Sequence, residues 1–528
     1  MGAVNVLGPK ASSVQSAEEM AGRFSGELMA QLPGWKQKLL ADPDQLESLE
    51  REVHAAFARG ADLLLAGLLA VMMKLPEFDA ASEETRTSYR YPLARGRTRQ
   101  IRVRLLGGLM IWVSSLYCAP RRRQCRGTDA VPGLYIELAQ FGFGKGVTPG
   151  LQSRVARQAA LCPSFESARQ ELQRNGVELD VKMVRRITQQ CGRGLLALRK
   201  HQLMLWREGQ LPAGTALRGK RVTVQIDGGR TKIRGPLKEA VTRDERIDVD
   251  GLVIDNAPGR SKARPKKTYA ADWREPKLVT IFVHDEQGRM VKGSKATVDG
   301  TFLGPDAVAE LTAMHLHRLG AAQALSVTFA SDGAPWIWDR VATIVSLAKL
   351  DQVPIHEVLD CCHAAHHISL ALAALGLSDE QRMPLYREHR TLLRNGQWRR
   401  VVEELSGLTE LDAGNEKAQT EIAYLRKHGE AGRLSYVRFR SLGIPLGSGA
   451  IESSIRRVIN LRLKNNGMFW REPEAEMMLQ VRAQVITDCW DDRLAEMRKL
   501  LRHDASQAWQ WEPKAMSIKS ELAAPNTE

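Results

Sequence analysis

The stretch RVTVQIDGG, residues 221–229, decides the fold. Its apolar residues Val222, Val224 and Ile226 recur with the period of a β-strand, and the strand ends in Asp227 followed by two glycines. Functional sites in open α/β sheets lie at the carboxyl ends of strands. The sequence therefore predicts an α/β domain with Asp227 at one such end.

Further strands and helices follow in a recognisable order. A meander of three strands, a crossover helix, and then strands each followed by a helix is the order of a ribonuclease H-like α/β domain. The predicted elements after Asp227 are strand 278–284, strand 291–298, helix 306–319, strand 324–330, helix 336–350 and strand 355–359.

Two insertions interrupt this domain. Residues 231–277 are polar, basic and rich in proline and glycine, so we expect a surface connection, whereas residues 378–440 have helical periodicity throughout. The expected fold is an α/β ribonuclease H-like catalytic domain interrupted by an all-α insertion, with N-terminal helical and β-ribbon/helix-turn-helix DNA-binding regions. The predicted regions are 1–80 (helical), 84–130 (arginine-rich ribbon), 135–200 (helix-turn-helix-like), 218–377 (catalytic domain, first part), 378–440 (helical insertion), 441–490 (last catalytic helix) and 491–528 (C-terminal helix and tail).

The ribbon is unusually basic. Eleven arginines and no acidic residue lie between Arg86 and Arg126, and a hairpin with its turn at Gly107-Gly108 would carry Arg102 and Arg104 on one face. Cys118 and Cys125 resemble half of a zinc ribbon, but a structural zinc site needs four ligands and no matching pair follows. We therefore expect an arginine ribbon that binds phosphate and no structural zinc.

Three helices are predicted in residues 149–190, with Asp180 as the N-cap of the third. A helix-turn-helix would present Lys182, Arg185 and Arg186 to the major groove of DNA. Any short helical hairpin gives the same pattern, so a purely structural role is the alternative.

Three acids are candidates for catalysis. Asp227 and Asp332 each follow an apolar strand and precede glycine, and Glu452 lies in the first turn of a helix after a glycine-rich segment. Each acid alone could be purely structural, since Asp-Gly is a common turn and an acid stabilises a helix N-terminus. Together, three hard carboxylates suit Mg²⁺ ions that act on a phosphodiester, with Mn²⁺ as a substitute.

Composition favours a polyanion as partner. The 528 residues include 76 Lys and Arg against 61 Asp and Glu, a formal charge of +15, although basicity can also serve solubility. Seven cysteines and no recognisable signal segment favour a reducing cytoplasm. The longest nearly apolar run, 61–73, is shorter than a bilayer span, so no membrane partner is expected. Phosphate-loop, GxSxG and HExxH motifs are absent from the sequence.

Five blocks of the chain resemble the DDE transposases of bacterial insertion sequences, in particular the Mutator-related groups that carry a helical insertion before the catalytic glutamate. The resemblance covers about residues 84–490. It implies a catalytic triad of Asp227, Asp332 and Glu452, and it places His363 beside the scissile phosphate. The blocks are IDGGRTKIRG (226–235), WREPKLVTIFVHDEQGR (273–289), ASDGAPWIWDRV (330–341), LDCCHAAHHI (359–368) and PLGSGAIESSIRRVINLRLKNNGMFW (445–470).

Several residues in these blocks have more than one possible role. The crowded cysteines and histidines of residues 361–367 are also potential zinc ligands, or a packed helix start. Trp338 could stack on an unpaired base or lie in the core, and the basic residues after Glu452 could grip phosphate or be merely solvated. The expected DNA-binding residues are Arg102, Arg104, Arg121, Arg122, Arg123, Lys182, Arg185, Arg186, Lys266, Lys267, Trp338, Arg456, Arg457, Arg462 and Lys464.

The expected function is a bacterial DNA transposase that binds the inverted-repeat ends of its element, cleaves phosphodiester bonds and joins 3′-hydroxyls to target DNA. Its partners would be double-stranded DNA and further copies of itself, as a homodimer or larger assembly, in a nucleoid-associated cytoplasmic location. The alternatives are a domesticated, non-catalytic DNA-binding protein and a ribonuclease H-like structure-selective nuclease.

Overall fold

The computed structural model describes most of the chain, with gaps in the ribbon, in the first insertion and at the two ends. Arg121, Arg122, Arg123, Lys266 and Lys267 lie outside the described residues. The described residues are 3–6, 8, 13–89, 92–120, 133–144, 146–235, 270–410, 415–464 and 467–503.

The N-terminal part combines a hairpin of two long helices with a small antiparallel sheet. The sheet has the order β1-β3-β2, with β4 added to β3, and its main hairpin confirms the predicted ribbon. The elements are β1 (Val4–Asn5), α1 (Ala17–Ala41), α2 (Leu46–Met72), α3 (Pro76–Ser88), β2 (Leu93–Arg104), β3 (Met110–Pro120), β4 (Leu134–Tyr135) and α4 (Ile136–Gln140).

Three helices follow the ribbon: α5 (Pro149–Leu161), α6 (Phe165–Arg174) and α7 (Val181–Arg207). Asp180 caps α7 as predicted, because its carboxylate accepts a hydrogen bond of 2.7 Å from the Met183 amide. The helix continues well beyond the predicted end at 190, since the apolar positions of its second half, including Leu195 and Leu198, are buried in a helical cluster.

A five-stranded mixed sheet is the centre of the molecule. Its order is β11-β10-β5-β8-β9, in which β5, β10 and β11 are parallel and β8 is antiparallel to both of its neighbours. The elements of this part are β5 (Arg221–Gly228), β6 (Thr231–Gly235), β7 (Ala270–Arg274), β8 (Lys277–His284), β9 (Thr297–Thr301), α8 (Pro305–Leu319), β10 (Ser326–Ser331), α9 (Pro335–Trp338), α10 (Val341–Leu347), β11 (Ile355–Leu359) and α11 (Cys361–Ala374).

Residues 378–440 are helical where the structure describes them, as predicted, and the chain then returns to the sheet. A second, three-stranded sheet has the order β12-β6-β7. The elements are α12 (Asp379–Arg394), α13 (Trp398–Glu410), α14 (Glu416–Glu430), α15 (Tyr436–Ser441), α16 (Gly449–Ile455), a π-helical turn (Arg456–Asn460), β12 (Trp470–Arg471), α17 (Glu472–Ile486) and α18 (Trp490–His503).

The two faces of β5 have different neighbours. Val222, Val224 and Ile226 share a buried cluster with α8 and α10, whereas Gln225 on the opposite face hydrogen-bonds to α16. Because side chains alternate along a strand, Asp227 lies on the same face as Gln225. The sheet therefore presents Asp227 on the α16 side.

Four predicted elements differ from the structure. The first insertion, 231–277, contains strands β6 and β7 and is not a surface connection alone, and the predicted last catalytic helix, within 441–490, is divided into α16, the π-helical turn, β12 and α17. The third strand begins at Thr297 instead of 291, because the chain makes a turn in which Gly293 has a φ of +79°. The predicted helix 336–350 is divided into α9 and α10. At the division the Arg340 guanidinium donates to the Trp336 carbonyl at 2.9 Å, an acceptor that a continuous helix would use for its own backbone.

A buried ionic network joins α7 to the central sheet. Arg199 contacts Asp299 of β9 at 3.0 Å and Glu476 of α17 at 2.5 Å, and His315 of α8 contacts the second Asp299 oxygen at 2.8 Å. Burial alone would raise the pKa of Asp299, but Arg199 and His315 hold that pKa below its usual value. This network fixes the helical region against the domain that carries the acids.

One helix among the described residues, spanning Pro43–Met72, is long and apolar enough to cross a membrane by length and composition alone. Its most apolar window is 39% buried inside the protein. Leu63, Ala66 and Leu69 of this helix pack in the core of the N-terminal sheet. A helix in the core of a soluble protein packs in the same way, so this helix alone is weak evidence for a membrane span.

Candidate active site

Asp227 and Asp332 emerge side by side from neighbouring parallel strands. Strands β5 and β10 are paired in register up to Val224 and Phe329, and the Ile226 amide then donates to the Ser331 hydroxyl at 3.1 Å. Burial, and next the charge of Asp332, raise the pKa of Asp227 to about 6. Two carboxylates thus share one partly buried place, as the sequence predicted.

Gln225 holds the glycine-rich segment that leads to Glu452. Its side-chain amide donates to the Gly447 carbonyl at 2.8 Å, and its oxygen accepts from the Ile451 amide at 2.9 Å. Gln225 is only 1% exposed, so both bonds are shielded from water. The first turn of α16 is therefore anchored on the strand that carries Asp227.

Asp360 joins the N-terminal ends of two helices. One carboxylate oxygen accepts from the amides of Cys362 and His363 in α11, at 2.6 and 2.9 Å. The other accepts from the amide and the hydroxyl of Ser448, which precedes α16, at 2.5 and 2.7 Å. Asp360 is 2% exposed. A single buried carboxylate therefore fixes the helix of His363 relative to the helix of Glu452.

His363 and Glu452 lie close together as a result. The imidazole Nε2 is 3.9 Å from the Glu452 Oε1, and Glu452 Oε1 is also 3.1 Å from the Ser448 hydroxyl. His363 in turn acts on Asp227, whose raised pKa it partly counteracts. The four residues Asp227, Asp332, Glu452 and His363, which are spread over 226 positions of the sequence, thus occupy one neighbourhood.

A further carboxylate near Asp227 has no counterpart in the sequence prediction. Glu275 precedes β8 and contributes to raising the pKa of Asp227. A Cβ on Gly228 would overlap the Glu275 carboxylate, so a side chain at Gly228 would displace this acid. Glu275 also forms a 2.7 Å ion pair with Lys277.

The helical insertion reaches the loop of the second aspartate. The Tyr424 ring of α14 and its hydroxyl oxygen occupy the place that a Cβ on Gly333 would take. Tyr424 also stacks on His367 of α11, with ring centroids 3.6 Å apart. Burial, and then Asp332 and Asp360, raise the pKa of the Tyr424 hydroxyl above its usual value. A side chain at position 333 would therefore displace Tyr424.

The cysteines and histidines of residues 361–367 are turned to different partners. His363 faces Glu452, whereas the ring of His367 contacts Glu421 of the insertion. Within the part of the chain that the structure describes, no group of three or more His, Cys, Asp or Glu side chains is placed closely enough to hold a metal ion as it stands, which applies to the three acids as well as to residues 361–367.

The three acids suit a hard divalent cation by their chemistry. Asp227 and Asp332 offer carboxylate oxygens in a half-buried place where their charges repel each other, and Glu452 is more than half exposed beside them. A cation between the two aspartates would relieve this repulsion. Carboxylate oxygens are the ligands that Mg²⁺ and Mn²⁺ prefer.

Two residues predicted to bind DNA are buried instead. Trp338 is 7% exposed, donates from its indole to the Asp332 carbonyl at 2.7 Å, and is covered by Arg433. Arg462 is 1% exposed; it donates to the Ala159 carbonyl at 3.1 Å, and its guanidinium carbon lies 5.1 Å from the Trp470 ring centroid. Both predictions were wrong, because each side chain has a polar partner and an aromatic or cationic neighbour inside the protein.

The other described DNA-binding candidates are at the surface. Arg104 is half-buried, and the remaining ones are exposed; these are Arg102, Lys182, Arg185, Arg186, Arg456, Arg457 and Lys464. The exposed residues Arg456 and Arg457 of the π-helical turn and Lys464 after it follow Glu452 in the chain, and we call them the basic strip. They offer positive charge next to the acids.

Comparisons with known proteins do not identify a family. No protein-family model, curated protein or solved structure matches this chain.

Proposed function

We propose that this chain is a DNA transposase of the DDE type with a ribonuclease H-like catalytic domain. The observation that supports the proposal is that Asp227 and Asp332 follow neighbouring parallel strands, while Glu452 lies on a helix whose first turn is hydrogen-bonded to Gln225 of the same strand. The strand order with β5 in the centre, flanked by parallel β10 and antiparallel β8, supports the fold. The net charge of +15 supports a nucleic-acid substrate.

Each acid has a distinct role in the proposed site. Asp227 would help to hold both of two Mg²⁺ or Mn²⁺ ions, and Asp332 and Glu452 would each help to hold one of them. When bound, such cations supply activation of a water or a 3′-hydroxyl and neutralise charge on the leaving oxygen. The His363 imidazole, held beside Glu452, would position the scissile phosphate. Asp360 and Ser448 are positioning residues that set the distance between His363 and Glu452.

DNA would be held by the basic surfaces on either side of the acids. The basic strip would bind phosphates next to the cut, while the arginine ribbon and the exposed residues of α7 would bind the inverted-repeat ends. Such binding weakens steeply with salt. Cutting paired ends together implies a homodimer or larger assembly, and the proposed location is the cytoplasm of a bacterium, at its nucleoid.

Strand joining is the activity that distinguishes this proposal from a nuclease. Purified protein, Mn²⁺ and a labelled fragment from the DNA flanking its gene, pre-cut to expose a 3′-hydroxyl, are incubated with a target plasmid, and products are separated on a denaturing gel. We expect joined products with the wild type, none with Asp332→Asn, and wild-type amounts with the exposed control Asp339→Asn.

The remaining outcomes assign the alternatives. Hydrolysis without joined products would favour a structure-selective nuclease of similar fold. Equal processing by wild type and Asp332→Asn would refute the catalytic site. Sequence-specific DNA binding with no processing at all would favour a non-catalytic DNA-binding protein.

A further inference from the structure

The small sheet of β6, β7 and β12 is a direct extension of the site. Strand β6 begins four residues after Asp227, and its Ile233 side chain is buried with Ile455 and Ile459 of the Glu452 helix and the following turn. Lys232, on the opposite face of β6, is exposed. Because Lys232 is five residues from Asp227, the two are at most about 18 Å apart.

The outer face of this sheet combines cations with aromatic rings. Trp273 of β7 is paired directly with Lys232, whose Nζ lies 5.1 Å from the Trp273 ring centroid and 5.8 Å from that of Phe469. The Arg234 guanidinium carbon lies 5.7 Å from the Phe469 centroid. We call Lys232, Arg234, Trp273 and Phe469 the aromatic platform.

Trp273 is unusual in its exposure. Its side chain is 52% exposed, and among the described residues it is the only tryptophan with such an open surface. Trp338 and Trp470, by contrast, are buried. An exposed tryptophan contributes little to a core, but it offers a flat ring for stacking with a partner.

The chemistry of the platform matches unpaired nucleotides. A nucleobase stacks on an aromatic ring, while lysine and arginine at its edge bind the adjoining phosphates. Paired bases inside a duplex are stacked on each other and present only their edges to a protein, so they cannot cover the Trp273 ring. An acidic peptide would bind the lysine and arginine side chains but would not stack on the face of the tryptophan ring.

We propose that the aromatic platform binds single-stranded DNA that adjoins the scissile phosphate, with one base stacked on Trp273. The inference rests on the proposed function, which brings DNA to the neighbouring acids. Lys232 of the platform has its Cα within about 18 Å of that of Asp227, a span of about five nucleotides of one strand. The platform would then select DNA ends whose bases are unpaired next to the cut.

The test is binding without catalysis, so that it is independent of the acids. Full-length protein in EDTA is titrated into an end fragment with a five-nucleotide single-stranded extension carrying 2-aminopurine, and into the same fragment as a blunt duplex. We expect quenching of 2-aminopurine by the wild type. Trp273→Ala should weaken binding of the extended DNA about 5- to 150-fold and change blunt-duplex binding less than about twofold.

Two further variants keep the result interpretable. Trp273→Phe retains an aromatic ring and should restore most of the quenching, while Phe57→Ala, at an exposed aromatic residue of α2, should match the wild type. Circular dichroism spectra of all variants establish that they fold. Equal losses for extended and blunt DNA, or no loss with Trp273→Ala, would overturn the platform. If the Asp332→Asn variant quenches 2-aminopurine and also joins strands as well as the wild type does, the proposed function is refuted. The binding of single-stranded DNA by the platform would still be supported.

Discussion

Asp360 and Ser448, 88 residues apart in sequence, are joined by two hydrogen bonds that hold the two halves of the candidate site together. The same carboxylate caps the helix of His363. The insertion helices α12–α15 lie between these residues in the chain. The contact therefore holds together the chain segments before and after the insertion, and it positions the helix of Glu452 on the side of the sheet that carries Asp227.

Asp360→Asn should separate these helices. An amide nitrogen cannot accept a hydrogen bond, so either the Ser448 groups or the amides of α11 lose their acceptor, and we expect the free energy of unfolding to fall by about 2–3 kcal/mol. Urea denaturation measures this change, and a strand-joining assay should show a loss of activity at temperatures where the variant is folded. The exposed Asp339→Asn serves as control; equal stability of the two variants would contradict the role of Asp360.

The buried network around Arg199 predicts a large effect on stability. Arg199→Met leaves the carboxylates of Asp299 and Glu476 buried without their cation, which should cost about 3–5 kcal/mol. Arg193→Met, at an exposed position of the same helix, should cost less than about 1 kcal/mol. Chemical denaturation of both variants gives the comparison, and similar midpoints would contradict it.

Three buried histidines predict loss of stability in mild acid. Burial is the main cause that lowers the pKa of His284, His315 and His428 to about 4, below the usual value near 6.5. The unfolded chain therefore binds protons first as the pH falls, so stability present above about pH 6.5 is lost between pH 6.5 and 4.

The measurement is the free energy of unfolding at several pH values in this window. The substitution His315→Gln removes a buried imidazole. It should reduce the slope of the unfolding free energy against pH by up to about 1.4 kcal/mol per pH unit. A slope equal to that of the wild type would show that His315 does not titrate as described.

Substitution of Arg457 should weaken DNA binding, whereas substitution of Arg462 should lower the stability of the protein. Arg457→Ala removes an exposed charge of the basic strip, so DNA binding should weaken and the slope of log affinity against log salt should fall by about 1, with an unchanged melting temperature. Arg462→Ala removes buried contacts to the Ala159 carbonyl and the Trp470 ring, so the melting temperature should fall. Fluorescence anisotropy at several salt concentrations and thermal melts measure the two effects. An unchanged salt slope for Arg457→Ala, or an unchanged melting temperature for Arg462→Ala, would contradict these assignments.

Local patterns in the sequence predicted much of the fold. Alternating apolar residues predicted β5, short apolar segments predicted β8 and β11, and the helix cap at Asp180 was readable because a cap is made within four residues. The positions of Asp227 and Asp332 followed from strand ends in the same way. Periodicity is a local property, so it predicts elements better than it predicts their partners.

Long-range contacts were not readable from the sequence. Gln225 and Asp360 have ordinary polar side chains, and their partners lie 222 and 88 residues away along the chain. Arg462 looked like part of a charged surface because its aromatic neighbour Phe165 lies in the distant α6. Trp273 was missed because it lies in a polar insertion whose composition indicated only a loop. In each case the fold, not the local pattern, decides which side chain is covered.

The binding of divalent cations tests the central claim most directly. Electron paramagnetic resonance counts Mn²⁺ bound to the full-length protein with end DNA, for the wild type and for Asp227→Asn, Asp332→Asn and Glu452→Gln, with Asp339→Asn as control. We predict two ions per chain for the wild type and the control, and fewer for each of the three variants. Mn²⁺ binding that is the same in all five proteins would contradict the account.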